Sequence, residues 1–102
     1  MKQMVVRYKT KPEKAEENAH LIEKVFEELR AKSPDSVRYL TLRLGDGTFL
    51  HFVAVDTKDS VSPITGLDAF QLFQSGVKER CLEPPQSSEA TIVGNYRMLG
   101  EW

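Results

Sequence analysis

A chain of 102 residues, 40% apolar and 28% charged, has the balance of one folded domain over residues 1–102 and too little length for two cores. Fourteen basic against fifteen acidic residues argue against a nucleic-acid partner, whose phosphates require a basic excess. No apolar run is long enough to cross a bilayer, the N-terminal residues lack a signal-peptide core, and the single cysteine excludes an intrachain disulfide; no membrane partner and a cytoplasmic location are expected.

The first strand is expected over Gln3 to Thr10, from its branched and aromatic content. Thr10 as a cap, Pro12 in a first turn and Glu13 three residues on then mark a helix start. Ala15, Ala19, Ile22, Val25, Phe26 and Leu29 recur at helical spacing and predict an amphipathic helix to about Ala31, ended by Pro34. Val37 to Leu44 alternates as a strand, Gly45 to Gly47 supplies a tight hairpin, and Thr48 to Asp56 is the returning strand. A polar loop leads to a second helix carrying Phe70, Phe73, Val77 and Cys81, stopped by Pro84 and Pro85. Ser88 to Leu99 reads as the last strand, before a tail ending in Trp102. The order βαββαβ is that of an α+β, ferredoxin-like fold: a four-stranded antiparallel sheet with two helices on one face.

The uncovered sheet face then matters for function. Leu40, Leu42 and Leu44 share one side of the second strand, and Met4, Val6 and Tyr8 one side of the first; these apolar sets are expected beneath the helices. That leaves Val5, Arg7, Tyr39, Thr41 and Arg43 on the open face. The third strand is apolar on both sides, and the facing of His51 stays open. Four strands about 4.8 Å apart and about 20 Å long outline a face of roughly 400 Å². Apolar area of that size asks for cover, and the simplest cover is a second copy packed sheet to sheet, with a pocket enclosed.

The element order, the helix after "KPEKAEEN", the "FLHFVAVDTKDS" strand and loop and the "LDAFQLFQSGVKERC" helix together resemble the dimeric α/β-barrel superfamily, in particular its antibiotic-biosynthesis-monooxygenase-like branch. The resemblance implies a homodimeric barrel with a ligand pocket in each subunit. It also implies, as one activity among several, cofactor-free oxygenation of an aromatic or quinol-like substrate. Haem-degrading relatives carry an asparagine on the first strand, a tryptophan ending the third and a histidine on the second helix. Here those places hold Arg7 and Tyr8, Val55 and Asp56, and no histidine. The alternative within the same fold is a non-catalytic binding or regulatory dimer. RNA-recognition domains share the element order, but the third strand lacks their basic and aromatic signature.

The candidate ligand-binding residues are Arg7, Tyr39, His51, Phe70 and Phe73, with an apolar or aromatic small molecule as the expected partner. His51 interrupts an apolar strand, either as a buried, hydrogen-bonded side chain or as an acid–base group. His20, between Glu16 and Lys24, reads as solvated, and Phe70 and Phe73 are most simply core residues at helical spacing, which also line a pocket if one lies under that helix. No metal-ligand set, no cofactor and no catalytic set is indicated. Cys81 lies on the apolar stripe near a helix C-terminus, where the dipole disfavours a thiolate. A thiol reagent is accordingly expected to label Cys81 slowly in the folded protein at neutral pH; rapid labelling would contradict a structural role.

Overall fold

The computed structural model describes residues 2–56 and 63–98. The expectations that fall on 57–62 and on the tail 99–102, Trp102 included, lie outside them. Along the chain run β1 (Lys2–Thr10), a 3-10 turn (Pro12–Lys14), α1 (Ala15–Lys32), β2 (Val37–Arg43), β3 (Thr48–Val55), α2 (Asp68–Ser75), α3 (Val77–Arg80) and β4 (Cys81–Glu89). The sheet order is β2-β3-β1-β4 with every neighbouring pair antiparallel. This is the ferredoxin-like α+β arrangement, with the helices on one face. No helix among the described residues is long and apolar enough to cross a membrane.

The core lies between that face and the helices. Tyr8 and Phe49, neighbours across β1 and β3, stack with ring centroids 5.5 Å apart, and each is 1% exposed. Ile22 and Val25 of α1, Leu67, Phe73 and Val77 close over them. Burying one such ring stabilises the fold by roughly 1.5–3 kcal/mol, so this cluster dominates the packing.

The start of α1 differs from expectation. Thr10 is the buried last residue of β1, and its hydroxyl donates to the carbonyl of Gly47 rather than capping a helix. Pro12 opens the 3-10 turn instead, and α1 follows without a side-chain cap. At its other end Ser33 takes a left-handed conformation, φ 47°, and its N–H returns to the Leu29 carbonyl just ahead of Pro34.

The face assignment of β2 is inverted relative to the sequence expectation. Tyr39 packs on Phe26 of α1 with centroids 4.9 Å apart, Thr41 faces His51, and Arg43 pairs with Glu16 of α1; all three lie on the helix side. Leu40, Leu42 and Leu44 are instead on the open face, each about two-fifths exposed. The registers pair Leu40 with Phe52, whose other neighbour is Val5, and Leu42 with Leu50, whose other neighbour is Arg7. A period of two makes the face all-or-none, so one misassigned residue inverts the strand. The deciding factor is that the hydroxyls of Tyr39 and Thr41 find a partner in His51 under the helices, while the leucines need none. On β1 the expectation holds, with Tyr8 inside and Val5 and Arg7 outside.

The C-terminal third also differs. The expected single helix breaks at Gly76, and Cys81 starts a strand rather than ending a helix. β4 therefore occupies Cys81–Glu89, not Ser88 to Leu99, and contains Pro84 and Pro85. Proline is tolerated there because β4 is an edge strand paired with β1 alone. Between Arg7 opposite Gln86 and Lys9 opposite Glu83, β4 carries one extra residue, a bulge at the two prolines. The last bond to β1 runs from Ala90 N–H to the Gln3 carbonyl; residues 91–98 then form no ladder among the described residues despite their strand-like composition.

The β2–β3 hairpin is closed by a Gly47 N–H bond to the Leu44 carbonyl and a Leu44 N–H bond to Thr48. Gly47 has φ 87°, and a Cβ there would stand 3.2 Å from the Thr10 carbonyl oxygen. Gly47→Ala is expected to lower unfolding stability by about 1–2 kcal/mol, measured by urea denaturation. Gly45→Ala, which meets nothing within 4 Å, is expected to stay within about 0.5 kcal/mol of the parent; equal effects would contradict the turn geometry.

Candidate functional site

Beneath the helices, polar side chains from five elements meet in one hydrogen-bonded chain. Asn18 sits at an apolar-stripe position of α1, between Ala15 and Ile22, and is fully buried. Its amide joins Arg80 of α3, Nε to Oδ1 at 3.0 Å, to the Tyr8 hydroxyl of β1 at 2.9 Å. Tyr8 Oη lies 2.8 Å from His51 Nε2 on β3. On the other side of the imidazole, Nδ1 lies 2.6 Å from the Tyr39 hydroxyl and 3.3 Å from the Thr41 hydroxyl, both on β2. Every buried side-chain nitrogen and oxygen in this region has a partner.

Arg80 anchors the chain. It is 5% exposed, its Nη2 donates to the Phe73 carbonyl at 2.7 Å, and its guanidinium lies 5.3 Å from the Phe73 ring centroid. Among the described residues it has no carboxylate partner. A Cβ on Gly76 would stand 2.9 Å from Arg80 Nη1, so the break between α2 and α3 leaves the room this buried side chain occupies.

Burial sets the protonation of the site. It pushes the His51 pKa down to about 4, because an imidazolium there would lose its hydration. It raises Tyr8 well above the usual phenol range, against the opposing hydrogen bond from Asn18. It also pushes Tyr39 up to about 12, with Thr41 acting in the opposite sense. At neutral pH the site is uncharged apart from the guanidinium.

A cavity of about 500 Å³ opens beside this chain, between the sheet and α2. Tyr8, Tyr39 and His51 are on its floor; Met4, Val6 and Val53 extend it along the sheet, and Phe70, Phe73 and Val77 form the helical wall. Phe70 and Phe73 lie 6.1 Å apart, and Phe73 stands 5.7 Å from the His51 ring. A volume of this size, mostly apolar with a few convergent polar atoms, is the shape of a small-molecule pocket.

Four of the five candidate residues, Tyr39, His51, Phe70 and Phe73, are therefore gathered at one cavity. Arg7 is not: it lies on the opposite sheet face, paired with Glu83 at 3.1 Å. Tyr39 reaches the cavity from the face on which it was not expected. Asn18 and Arg80 escaped the sequence reading, although a polar residue recurring in an apolar stripe was the available signal; Phe73, Val77 and Arg80 share it. Cys81 opens β4 and keeps a thiol pKa raised by burial, a different setting from the expected helix end. Among the described residues no group of three or more His, Cys, Asp or Glu is placed to hold a metal.

No protein-family model matches the chain, and no curated protein sequence matches it. Solved structures do match. A candidate antibiotic biosynthesis monooxygenase from Nitrosomonas europaea superposes with a TM-score of 0.73 at 15% identity, over 90% of this chain and 89% of that one. One from Caulobacter crescentus gives 0.73 at 18% identity, over 91% and 90%. A protein of unknown function from Nitrosomonas europaea gives 0.70 at 15%, over 97% and 95%. At such identities the likeness shows the shared fold, which is the fold expected from the sequence.

The depressed His51 pKa carries a pH dependence. Above pH 6.5 the imidazole is neutral in both folded and unfolded chains; as pH falls toward about 4 the unfolded chain takes up the proton first, and folding weakens. Stability is expected to fall by roughly 3 kcal/mol across that window, measured by urea denaturation at each pH. His51→Gln, whatever its absolute stability, is expected to lack this slope; a wild-type profile flat down to pH 4 would contradict the buried neutral imidazole.

Proposed function

We propose that the chain is a small homodimeric pocket protein that holds an apolar or aromatic small molecule between its sheet and α2, with Tyr39, His51, Phe70 and Phe73 in contact with it. The observation that carries this reading is the cavity of about 500 Å³ whose apolar walls converge on the Tyr8–His51–Tyr39 chain. The fold shared with antibiotic biosynthesis monooxygenases supports a related use of the site, oxygenation of an aromatic or quinol-like substrate without a cofactor. That chemistry needs a base to take the substrate proton. Both ring nitrogens of His51 are already engaged by hydroxyl groups, which favours the second reading, binding without turnover.

The dimer rests on the open face. Leu40, Leu42, Leu44 and Phe52 are each 38–43% exposed there, and a groove of about 570 Å³ separates this face from Ile92, Tyr96 and Met98. A sheet face of roughly 400 Å² falls short of the ~800 Å² that a stable partner buries, so residues 90–98, with Val93 fully exposed, supply the rest of the contact. The occupant is a second copy, because the same apolar patch then covers itself.

Sedimentation at micromolar concentration is expected to give a dimer, and Leu42→Asp, remote from the cavity, a folded monomer; a monomeric parent would overturn the assembly. Thermal shifts with unreactive aromatics alongside oxygen uptake with quinols and anthrones separate the two uses of the pocket. Stabilisation without uptake identifies a binding protein, uptake identifies an oxygenase, and neither response overturns the pocket reading.

A further inference from the structure

The helical wall of the cavity is fastened differently at its two ends. Near the C-terminal end of α2 the Phe73 ring is buried in the core, its carbonyl accepts from Arg80 Nη2 at 2.7 Å, and Gly76 breaks the chain before α3. That end is fixed from within. The N-terminal end begins with backbone N–H groups that its own sequence leaves uncapped, because Leu67 stands at the cap position and offers no acceptor side chain. The cap comes from another helix. Glu28 of α1, forty-one positions away in the chain, accepts from the Ala69 N–H at 2.9 Å.

The second oxygen of Glu28 lies 3.0 Å from Lys32 Nζ, one turn further along α1, which holds the carboxylate in place. Its negative charge also meets the positive end of the α2 dipole. The Ala69 N–H, and after it Lys32, hold the Glu28 carboxyl below the usual carboxylate range. The bond falls where it bears on the cavity: the residue after Ala69 is Phe70, which lines it, as Phe73 does one turn later. Leu67, just ahead of the helix, stays in the core. The part left to swing is therefore α2 itself, between Leu67 and Gly76.

We propose that α2 is a gate over the cavity and that Glu28 is its latch. While the carboxylate holds the Ala69 N–H, Phe70 closes the wall; when it lets go, the first turn of α2 lifts and a ligand passes. Glu28 is a positioning residue, outside the cavity lining, that sets how often the wall opens. The proposal rests on the pocket reading above and adds a rate of exchange to it, whatever the ligand is. Because Glu28 acts on the helix and not on the ligand, its removal raises entry and exit by one factor and leaves the affinity where it was. Loss of a helix cap is expected to raise the open population about five- to tenfold.

Two measurements test it. In native-state hydrogen exchange, the amides of Ala69 and of residues 71–74 are expected to lose about five- to tenfold protection in Glu28→Ala, while those of β1 and β3 keep theirs. An equal loss everywhere, or none in α2, overturns the latch. Stopped-flow mixing with 1-aminoanthracene, a neutral fluorescent aromatic, reads the gate. Association and dissociation rates are both expected to rise about five- to tenfold in Glu28→Ala, with Kd within about twofold of the parent. Binding with unaltered rates, or a changed Kd at an unaltered association rate, overturns the gate and leaves the pocket standing. Glu28→Gln keeps an oxygen for Ala69 but no charge; it is expected to fall between parent and Glu28→Ala, and it carries the same test if Glu28→Ala does not fold. If 1-aminoanthracene binds neither parent nor variant, the pocket reading falls and takes the gate with it.

Discussion

The fold is held to its site by a buried guanidinium. Arg80 sits under the helices among the described residues without a carboxylate, and it is kept there by the Asn18 oxygen, the Phe73 carbonyl and the face of the Phe73 ring. Removing a charge from water is expensive unless its donors are met, so these contacts restrict where α1, α2 and α3 can lie relative to one another. Gly76 belongs to the same constraint, because any larger residue would occupy the space of Nη1. Through Asn18 the constraint passes to Tyr8 and His51, and so to the sheet. The helices are thus fastened to the sheet by a polar chain threaded through an apolar core, not by apolar packing alone.

That chain explains the unusual division of the sheet's two faces. The side beneath the helices carries the hydroxyls and the imidazole, while leucines and a phenylalanine face outward. In a lone subunit this is the reverse of the usual economy, in which the exposed face is the polar one. It becomes reasonable if the inner face serves a ligand and the outer face serves another copy. The polar groups inside satisfy one another when the cavity holds only solvent, which keeps the site formed in advance of a ligand.

Fold likeness alone could not have given this reading. The matching structures include proteins described as oxygenases and one of unknown function on the same scaffold, and a scaffold hosts many chemistries. What this chain adds is local: a histidine on the third strand clasped between two tyrosines at the floor of the cavity.

The sequence by itself determined the βαββαβ order of strands and helical segments, because hydrophobic period and turn chemistry are local properties. Alternation made β2 a strand, two glycines around Asp46 made the hairpin, and a three-to-four spacing made α1 amphipathic. It also brought Tyr39, His51, Phe70 and Phe73 into consideration as residues of one site. What it could not determine was which side of β2 faces in, since both sides alternate equally well and only the partners waiting across the sheet, His51 and Phe26, break the tie. Nor could it place β4, whose poor strand composition is overridden by the unpaired edge of β1 that needs hydrogen bonds wherever they can be found. Asn18 and Arg80 look like misfits in apolar stripes when read along the chain; only tertiary structure, by bringing residues sixty-two positions apart to 3.0 Å, turns them into each other's partners.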